Sequence, residues 1–161
     1  MSRMIDQTRV GRRPKTTRSI PHAQLTQHGP DEIIEKLHRF CFELPDVLNR
    51  DSLISVPGAR ALVVHDSIDC NREAFLIGRE FAHIHPHPDN GSMHLKLAEL
   101  DAAHVIQMGW GEDHFLVSQG RLPPSIIMVY SPRNDEELEV VKRIVVQSYE
   151  FAIGSESTTS R

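Results

Sequence analysis

Histidines in the middle of the chain are the residues best suited to chemistry. Ten of the 161 residues are histidine, and seven of these lie between positions 65 and 114. His83 and His85 form an H-x-H pair, so in a β-strand both side chains point to one face while Ala82 and Ile84 point to the other. Grouped imidazoles can bind a transition metal, act as general bases near neutral pH, or simply cover a sheet surface. The pair alone leaves these three uses open.

A second strand is predicted to bring more polar side chains to the same face. Residues 90–91 (NG) are a strong signal for a two-residue hairpin turn. Such a turn places His87 opposite His94 and His85 opposite Lys96. The face formed in this way collects His83, His85, His94 and Lys96.

The histidine face predicts a metal centre as one alternative. Neutral imidazole nitrogens suit a divalent transition metal, and the ligands would be His83, His85 and His94. Strand alternation places Glu80 on the face opposite His83. Alternation therefore offers no obvious carboxylate ligand, and we interpret Glu80 as a structural partner of an arginine rather than as a catalyst.

Two other segments carry candidate site residues. Trp110 and His114 lie in the sequence GWGEDH, and Tyr130 and Arg133 lie in YSPRN, between a predicted strand and the last predicted helix. Loops in that position commonly carry functional residues. Arg133 can hold an anion near the helix N-terminus, or pair with a neighbouring acid at position 135 or 136.

Hydrophobic periodicity and turn signals predict the elements that position these residues. Helices are predicted over 31–44, 99–108 and 135–154, the last capped by Asn134 and ended by Gly154. Strands are predicted at 53–56, 61–65, 75–77 and 125–130, together with the pair that flanks 85–91. The predicted fold class is α+β: a single domain with a mostly antiparallel sheet, packed by two longer helices and one short helix.

Charge divides the chain into a domain and two flanking segments. Residues 1–20 contain six basic side chains and one acid, and they show no apolar periodicity. We therefore predict a disordered basic arm over 1–25, the α+β domain over 26–154 and a disordered tail over 155–161.

Composition excludes several classes of protein. Hydrophobic residues make up 39% and charged residues 25%, which is ordinary for a soluble domain. No apolar run approaches the ~18 residues that a membrane-spanning helix needs, so no membrane partner is predicted. The net charge of −4 argues against nucleic acid. Two cysteines favour a reducing compartment, so the predicted location is cytoplasmic.

Several fragments, taken in order, resemble the fungal luciferase family. They are REFAHIH at 79–85, HLKL at 94–97, GWGEDH at 109–114, the proline pair at 123–124 and YSPRN at 130–134. The resemblance covers roughly residues 75–153. The chain is most similar to the short, soluble prokaryotic-type members. Phe115 stands where the family usually has proline, and His87 lies in a loop that departs from the family pattern.

The resemblance implies a function and a set of site residues. Members of the family oxidise a 3-hydroxyhispidin-type pyrone with molecular oxygen, as monooxygenases without a known organic cofactor or metal. A histidine can take the proton of the acidic enol, and cations can stabilise the enolate. The implied catalytic residues are His83, His85, His94 and His114. The implied substrate-binding residues are Arg79, Lys96, Trp110, Tyr130 and Arg133.

Three classes of function follow from these observations. The first is a small-molecule oxygenase or related enzyme that acts on an enolic, pyrone-type substrate and molecular oxygen. The second is a histidine-ligated, metal-dependent enzyme. The third is a ligand-binding module without catalysis, since one fold can serve unrelated chemistry.

Overall fold

The computed structural model describes residues 5–154 of the chain. The predicted tail at 155–161 and the first four residues of the predicted arm lie outside the described residues. Within 5–154, no helix is long and apolar enough to cross a membrane.

The core of the molecule is one antiparallel sheet of six strands in the order β1-β2-β3-β4-β6-β5. The strands are β1 (Val47–Asp51), β2 (Arg60–Val64), β3 (Glu80–Ile84), β4 (Met93–Lys96), β5 (Gly111–Asp113) and β6 (Ile126–Val129). The helices are α1 (Asp31–Phe42), α2 (Glu99–Gln107) and α3 (Asp135–Ile153). The predicted α+β class, with two longer helices and one short helix, is confirmed.

One face of the sheet is buried in the hydrophobic core. Ala82 and Ile84 of β3 and Met93 and Leu95 of β4 are fully buried there with the apolar stripes of α1 and α3. Side chains alternate along a strand, so the histidines of β3 and β4 lie on the other face. The apolar face holds the sheet in place, and the opposite face is left for the histidines.

The last helix forms where the sequence predicts it. The Asn134 side chain accepts a hydrogen bond from the Glu137 N–H at 2.9 Å, and Gly154 ends the helix with a φ of +80°. These are the N-cap and the left-handed C-terminal residue that the sequence indicates.

The register of the β3–β4 hairpin differs from the predicted one. His83 pairs with His94 and Ile84 with Met93, and the chain between the strands forms a wide loop rather than a two-residue turn. Pro86 and another proline two residues later have no N–H to donate to the ladder, so the strands separate before residues 90–91. The pairings of His87 with His94 and of His85 with Lys96 were therefore wrong. The shift is an even number of residues, so the histidines remain on one face.

Glu80 also differs from its predicted position. Leu62 pairs with Ala82, whereas Val63 pairs with Glu80, so β3 contains one extra residue at Phe81. Such a bulge interrupts the alternation of side chains. Glu80 consequently lies beside His83, and its partners are not arginines but His83 and the segment at 52–53.

The predicted strands at 53–56 and 75–77 are not strands of the sheet. Residues 53–56 form a loop between β1 and β2, and Ile77 makes only an isolated bridge with Glu80. The edge strands β1 and β5 were missed. β1 buries only Val47, and β5 has only three residues, so neither shows the apolar alternation by which a strand is recognised.

The predicted disordered arm is packed on the domain from Ile5 onward, which corrects that expectation for residues 5–25 and extends the domain beyond the predicted start at 26. Ile5 is 1% exposed and belongs to the core. The Arg9 N–H donates to the Met108 carbonyl at 2.9 Å, and Thr16 bridges to Gln24. The arm is held by isolated apolar contacts and by hydrogen bonds, neither of which produces a periodic pattern in the sequence.

Candidate active site

A cavity of about 460 Å³ opens on the histidine face of the sheet. This volume falls in the range of small-molecule sites. Its polar floor is made of imidazoles: His22, His83, His85, His94 and His114. Its remaining walls are almost entirely apolar: Ile20, Pro21, Ile54, Ser55, Val56, Leu76, Leu116, Leu122 and Ile126.

The structure brings together the four histidines that the sequence singles out. The ring of His94 lies 4.7 Å from that of His85, 5.3 Å from that of His83 and 4.7 Å from that of His114, measured between centroids. His94 is thus the centre of the group, and it is buried. β3 supplies His83, the residue directly after β3 is His85, β4 supplies His94, and the chain after β5 supplies His114.

His22 is a fifth member of the cluster that sequence reasoning missed. Its Nδ1 lies 3.1 Å from Nε2 of His94, and its Nε2 lies 2.9 Å from Oε2 of Glu112. His22 belongs to the segment interpreted as an arm, outside every periodic element. Glu112, within the GWGEDH fragment, was the one available signal, since a half-buried carboxylate favours a hydrogen-bond donor beside it.

His83 and His85 each have a polar partner at Nδ1. Nδ1 of His83 lies 2.9 Å from Oε2 of Glu80. Nδ1 of His85 lies 2.8 Å from Oγ of Ser92 and 3.2 Å from Oδ2 of Asp89. These contacts fix the orientation of both rings, as outer hydrogen bonds do for functional histidines.

The imidazoles at the centre of the site are held neutral near pH 7. Burial, followed by repulsion from the neighbouring rings, holds the pKa of His94 well below its usual value. Burial also lowers the pKa of His83, although the hydrogen bond to Glu80 opposes this, and it lowers the pKa of His114 to about 4. A neutral imidazole carries a lone pair that can accept a proton or bind a metal.

The carboxylates behind the rings remain ionised. Burial alone would raise the pKa of Glu80, but hydrogen bonds from His83, Ser52 and the Leu53 N–H outweigh it and lower that pKa. Burial likewise opposes ionisation of Asp89 and Glu112, and their hydrogen-bond donors again lower both pKa values. An ionised carboxylate is only an acceptor, so each histidine beside one donates to it.

Tyr130 lies behind the site rather than in its lining. Its hydroxyl donates to Oε1 of Glu112 at 2.8 Å, and Arg13 donates to the same hydroxyl at 3.3 Å. Burial is the main cause that raises the pKa of Tyr130 to about 12. Tyr130 therefore orients Glu112, which in turn holds His22.

The other predicted substrate-binding residues lie outside the lining of the histidine pocket. Arg79 donates to the carbonyls of residues 64, 65 and 68 in a separate cleft. Lys96 borders another surface depression, next to Leu97. Trp110 is in the core, and its Nε1–H donates to the Gln7 carbonyl at 2.6 Å.

Arg133 stabilises the junction between the arm and α3. Its guanidinium pairs with Glu137, not with the acids at 135 or 136, and also donates to the Val10 carbonyl at 2.8 Å and to the Gln27 side chain at 3.2 Å. Hydrogen bonding to Glu137 raises the pKa of Arg133. The guanidinium of Arg133 is therefore engaged in contacts that hold the fold together.

The cluster could hold a metal ion. Two overlapping sets each offer one ligand atom per residue, with all three atoms within 4.8 Å of one another: His83, His85 and His94, and His22, His94 and His114. The arrangement can therefore support proton transfer or metal binding at the floor of an apolar cavity.

Comparison with known proteins shows what the central part of the chain is similar to. Residues 78–148 match the family described as Luciferase domain. Over 72 residues the chain is 42% identical to a protein named Luciferase from Armillaria mellea and, equally, to one from Neonothopanus nambi. The matched segment covers 44% of this chain and 27% of each relative, so the chain spans about a quarter of the length of these proteins. No solved structure gives a significant match.

Proposed function

We propose, from the similarity of residues 78–148 to the family described as Luciferase domain, that the chain is a small-molecule oxidoreductase that uses molecular oxygen on an enolic, pyrone-type substrate. The observation that carries the proposal is an apolar cavity whose polar floor consists of imidazoles, among which His94 and His114 have lowered pKa values. The luciferase-like segment supplies His83, His85, His94 and His114, four of the five rings on that floor.

The lining favours a largely apolar substrate. Among the described residues that line the cavity there is no aspartate, glutamate, lysine or arginine. Binding would therefore depend on apolar contact, with a few polar atoms directed at the floor. An enolic pyrone has this distribution, because its ring is planar and its acidic hydroxyl and carbonyl lie on one edge.

The imidazoles supply the chemistry that such a substrate needs. An enol becomes electron-rich enough to react with oxygen once it has lost its proton, and a neutral ring nitrogen can accept that proton. Nδ1 of His114 accepts a hydrogen bond from the Leu116 N–H at 3.1 Å, so the proton of the neutral ring is on Nε2. That N–H can donate to the developing enolate oxygen. The apolar walls would exclude water from a reactive intermediate.

A metal-dependent enzyme is the second candidate function. It is favoured by the convergence of one nitrogen from each of His83, His85 and His94.

The free thiols of Cys41 and Cys70 fit a reducing compartment, and we retain the cytoplasm as the proposed location.

Oxygen uptake tests the proposed function. The purified chain is supplied with a 3-hydroxy-2-pyrone, and oxygen consumption is followed for the wild type, His114→Gln and His87→Gln. His87 is the control, because it is exposed and pairs only with Asp31 outside the cavity. We expect wild-type turnover, a loss of about 100-fold in kcat/KM for His114→Gln, and a change within about twofold for His87→Gln. Saturable binding of the pyrone without oxygen uptake would contradict the proposal and favour a ligand-binding module.

A further inference from the structure

We infer that His83, His85 and His94 are the protein ligands of one divalent transition-metal ion, bound at the floor of the cavity with a coordination position open towards it. One nitrogen from each ring lies within 4.8 Å of the other two. This inference goes beyond the proposed function, since it concerns the ion and does not depend on which substrate is used.

The tautomer of His83 directs its Nε2 lone pair into the cluster. Nδ1 of His83 lies 2.9 Å from Oε2 of Glu80. A carboxylate oxygen accepts a hydrogen bond, so the Nδ1–H of His83 donates to it. This contact leaves Nε2 as the nitrogen that can offer the lone pair a metal ligand requires.

His85 has the same arrangement. The Ser92 hydroxyl donates to Oδ2 of Asp89 at 2.7 Å, so its oxygen is free to accept from Nδ1 of His85 at 2.8 Å. Asp89 also lies 3.2 Å from that nitrogen. With its proton on Nδ1, His85 keeps the lone pair on Nε2.

His94 is connected to a carboxylate through a second ring. Nε2 of His22 lies 2.9 Å from Oε2 of Glu112, so that nitrogen donates to the carboxylate. Nδ1 of His22 lies 3.1 Å from Nε2 of His94, and this contact engages Nε2 of His94. Nδ1 of His94 is left to face His83.

The distance between two of these nitrogens fits two ligands of one ion. Nε2 of His83 and Nδ1 of His94 are 3.2 Å apart. Metal–nitrogen bonds of ~2.0–2.1 Å place two ligands of a tetrahedral ion about 3.3 Å apart, close to the observed separation. Each ligand also has the outer hydrogen bond to a carboxylate, direct or relayed, that is typical of metal-bound histidine.

The second set of three histidines does not meet these conditions. Nδ1 of His114 accepts from the Leu116 N–H, so its Nε2 carries the proton and has no lone pair to offer. Nε2 of His94 is already engaged by His22 at 3.1 Å. The geometry therefore points to His83, His85 and His94, with His114 left free to contact the substrate.

The donor set indicates the chemical class of the ion. Three neutral imidazoles suit zinc, iron, nickel or copper rather than magnesium or calcium, which prefer oxygen ligands. Three protein ligands with one position open to a cavity are the usual form of a catalytic metal site. An enolate oxygen could occupy that position, with the ion stabilising its negative charge as a Lewis acid.

Cobalt binding tests the inference without reference to activity. The full chain is freed of metal with a chelator and titrated with Co²⁺, whose visible absorption reports the ligand geometry. We expect one saturable equivalent per chain, a loss of affinity of about 100-fold or more for His85→Gln, and a change within about threefold for His114→Gln. Absence of a stoichiometric Co²⁺ site in the wild type would overturn the inference, and so would a loss in His114→Gln equal to that in His85→Gln.

A second variant guards against misfolding of His85→Gln. Asp89→Asn keeps all three ligands and weakens the outer hydrogen bonding of His85, so we expect Co²⁺ affinity to fall about 10-fold. Unchanged affinity in a folded Asp89→Asn protein would contradict the assigned arrangement.

The oxygen-uptake assay separates this inference from the proposed function. Stoichiometric Co²⁺ binding without pyrone-dependent uptake in zinc-, iron- or copper-loaded protein would overturn the function alone. Pyrone-dependent uptake with no metal site would overturn the inference alone.

Discussion

At the scale of single residues, the partner behind each imidazole decides which ring nitrogen faces the cavity. Glu80 holds Nδ1 of His83, and Asp89 with Ser92 holds Nδ1 of His85. The choice matters because the protonated nitrogen donates, whereas the other accepts a proton or binds a metal. The chemistry of the site therefore depends on buried carboxylates that do not line the cavity.

The sequence was sufficient to predict which histidines lie together, but not which contacts they make. The H-x-H pair and the family-like fragments are local in sequence. They were sufficient to predict that His83, His85, His94 and His114 lie around one pocket. The contact of Glu80 depends on a bulge in β3 that no local pattern indicates. The predicted substrate-binding role of Arg133 stays a prediction, and its contacts give it a structural role.

The pair of Arg133 and Glu137 predicts a pH dependence of stability. Burial would raise the pKa of Glu137, but its bonds with Arg133 and the charge of Arg9 outweigh burial and lower it. A carboxyl whose pKa is lowered by folding stabilises the protein above its ordinary value of 4.5, and this contribution is lost as pH falls through the lowered pKa. We expect Glu137→Gln to reduce the free energy of unfolding by about 1–3 kcal/mol at pH 7.

Urea unfolding across pH measures this effect. The difference between wild type and Glu137→Gln should be largest near pH 7 and should shrink below pH 4.5, the ordinary value for the carboxyl. The matched control is Glu136→Gln, one residue earlier and exposed, which should change the free energy by less than about 0.5 kcal/mol. A difference that stays constant down to pH 3 would rule out the ion pair as its cause.

At the scale of elements, local sequence signals predicted the ends of the last helix. The hairpin register and the packing of residues 5–25 depend instead on features that those signals do not contain. α3 was predictable because Asn134 and Gly154 define its ends. The hairpin register was not, because the loop containing Pro86 replaces the two-residue turn. The packing of residues 5–25 was not predictable either, since it rests on scattered contacts such as the Trp110 indole with the Gln7 carbonyl.

The N-terminal segment is therefore predicted to contribute to stability. Ile5 is 1% exposed, whereas Val10 in the same segment is 78% exposed. Removal of a buried isoleucine side chain typically costs about 2–5 kcal/mol. We expect Ile5→Ala to lower the free energy of unfolding within that range and Val10→Ala to change it by less than about 0.5 kcal/mol. Equal, small effects of the two variants in urea unfolding would show that the segment does not pack on the domain in solution.

At the scale of the whole molecule, the cavity combines two parts of the chain. The luciferase-like segment at 78–148 contributes four imidazoles. His22 and much of the apolar wall, including Ile20, Ile54 and Val56, come from outside that segment. This division places four of the five imidazoles in the part that is similar to the fungal relatives. It also predicts that substrate preference is set by the part outside the match, where the walls lie.

The central claim is that an enolic small molecule binds over the histidine floor. Ring ¹⁵N spectra of the ten histidines, recorded while a 3-hydroxy-2-pyrone is titrated into the purified chain, test it most directly. The signals are assigned by single His→Gln variants. We predict saturable shifts at His83, His85, His94 and His114, with His38 and His65, which lie outside the cavity lining, unchanged. Shifts confined to His38 and His65, or no saturable shift at any ring of the floor, would contradict the claim.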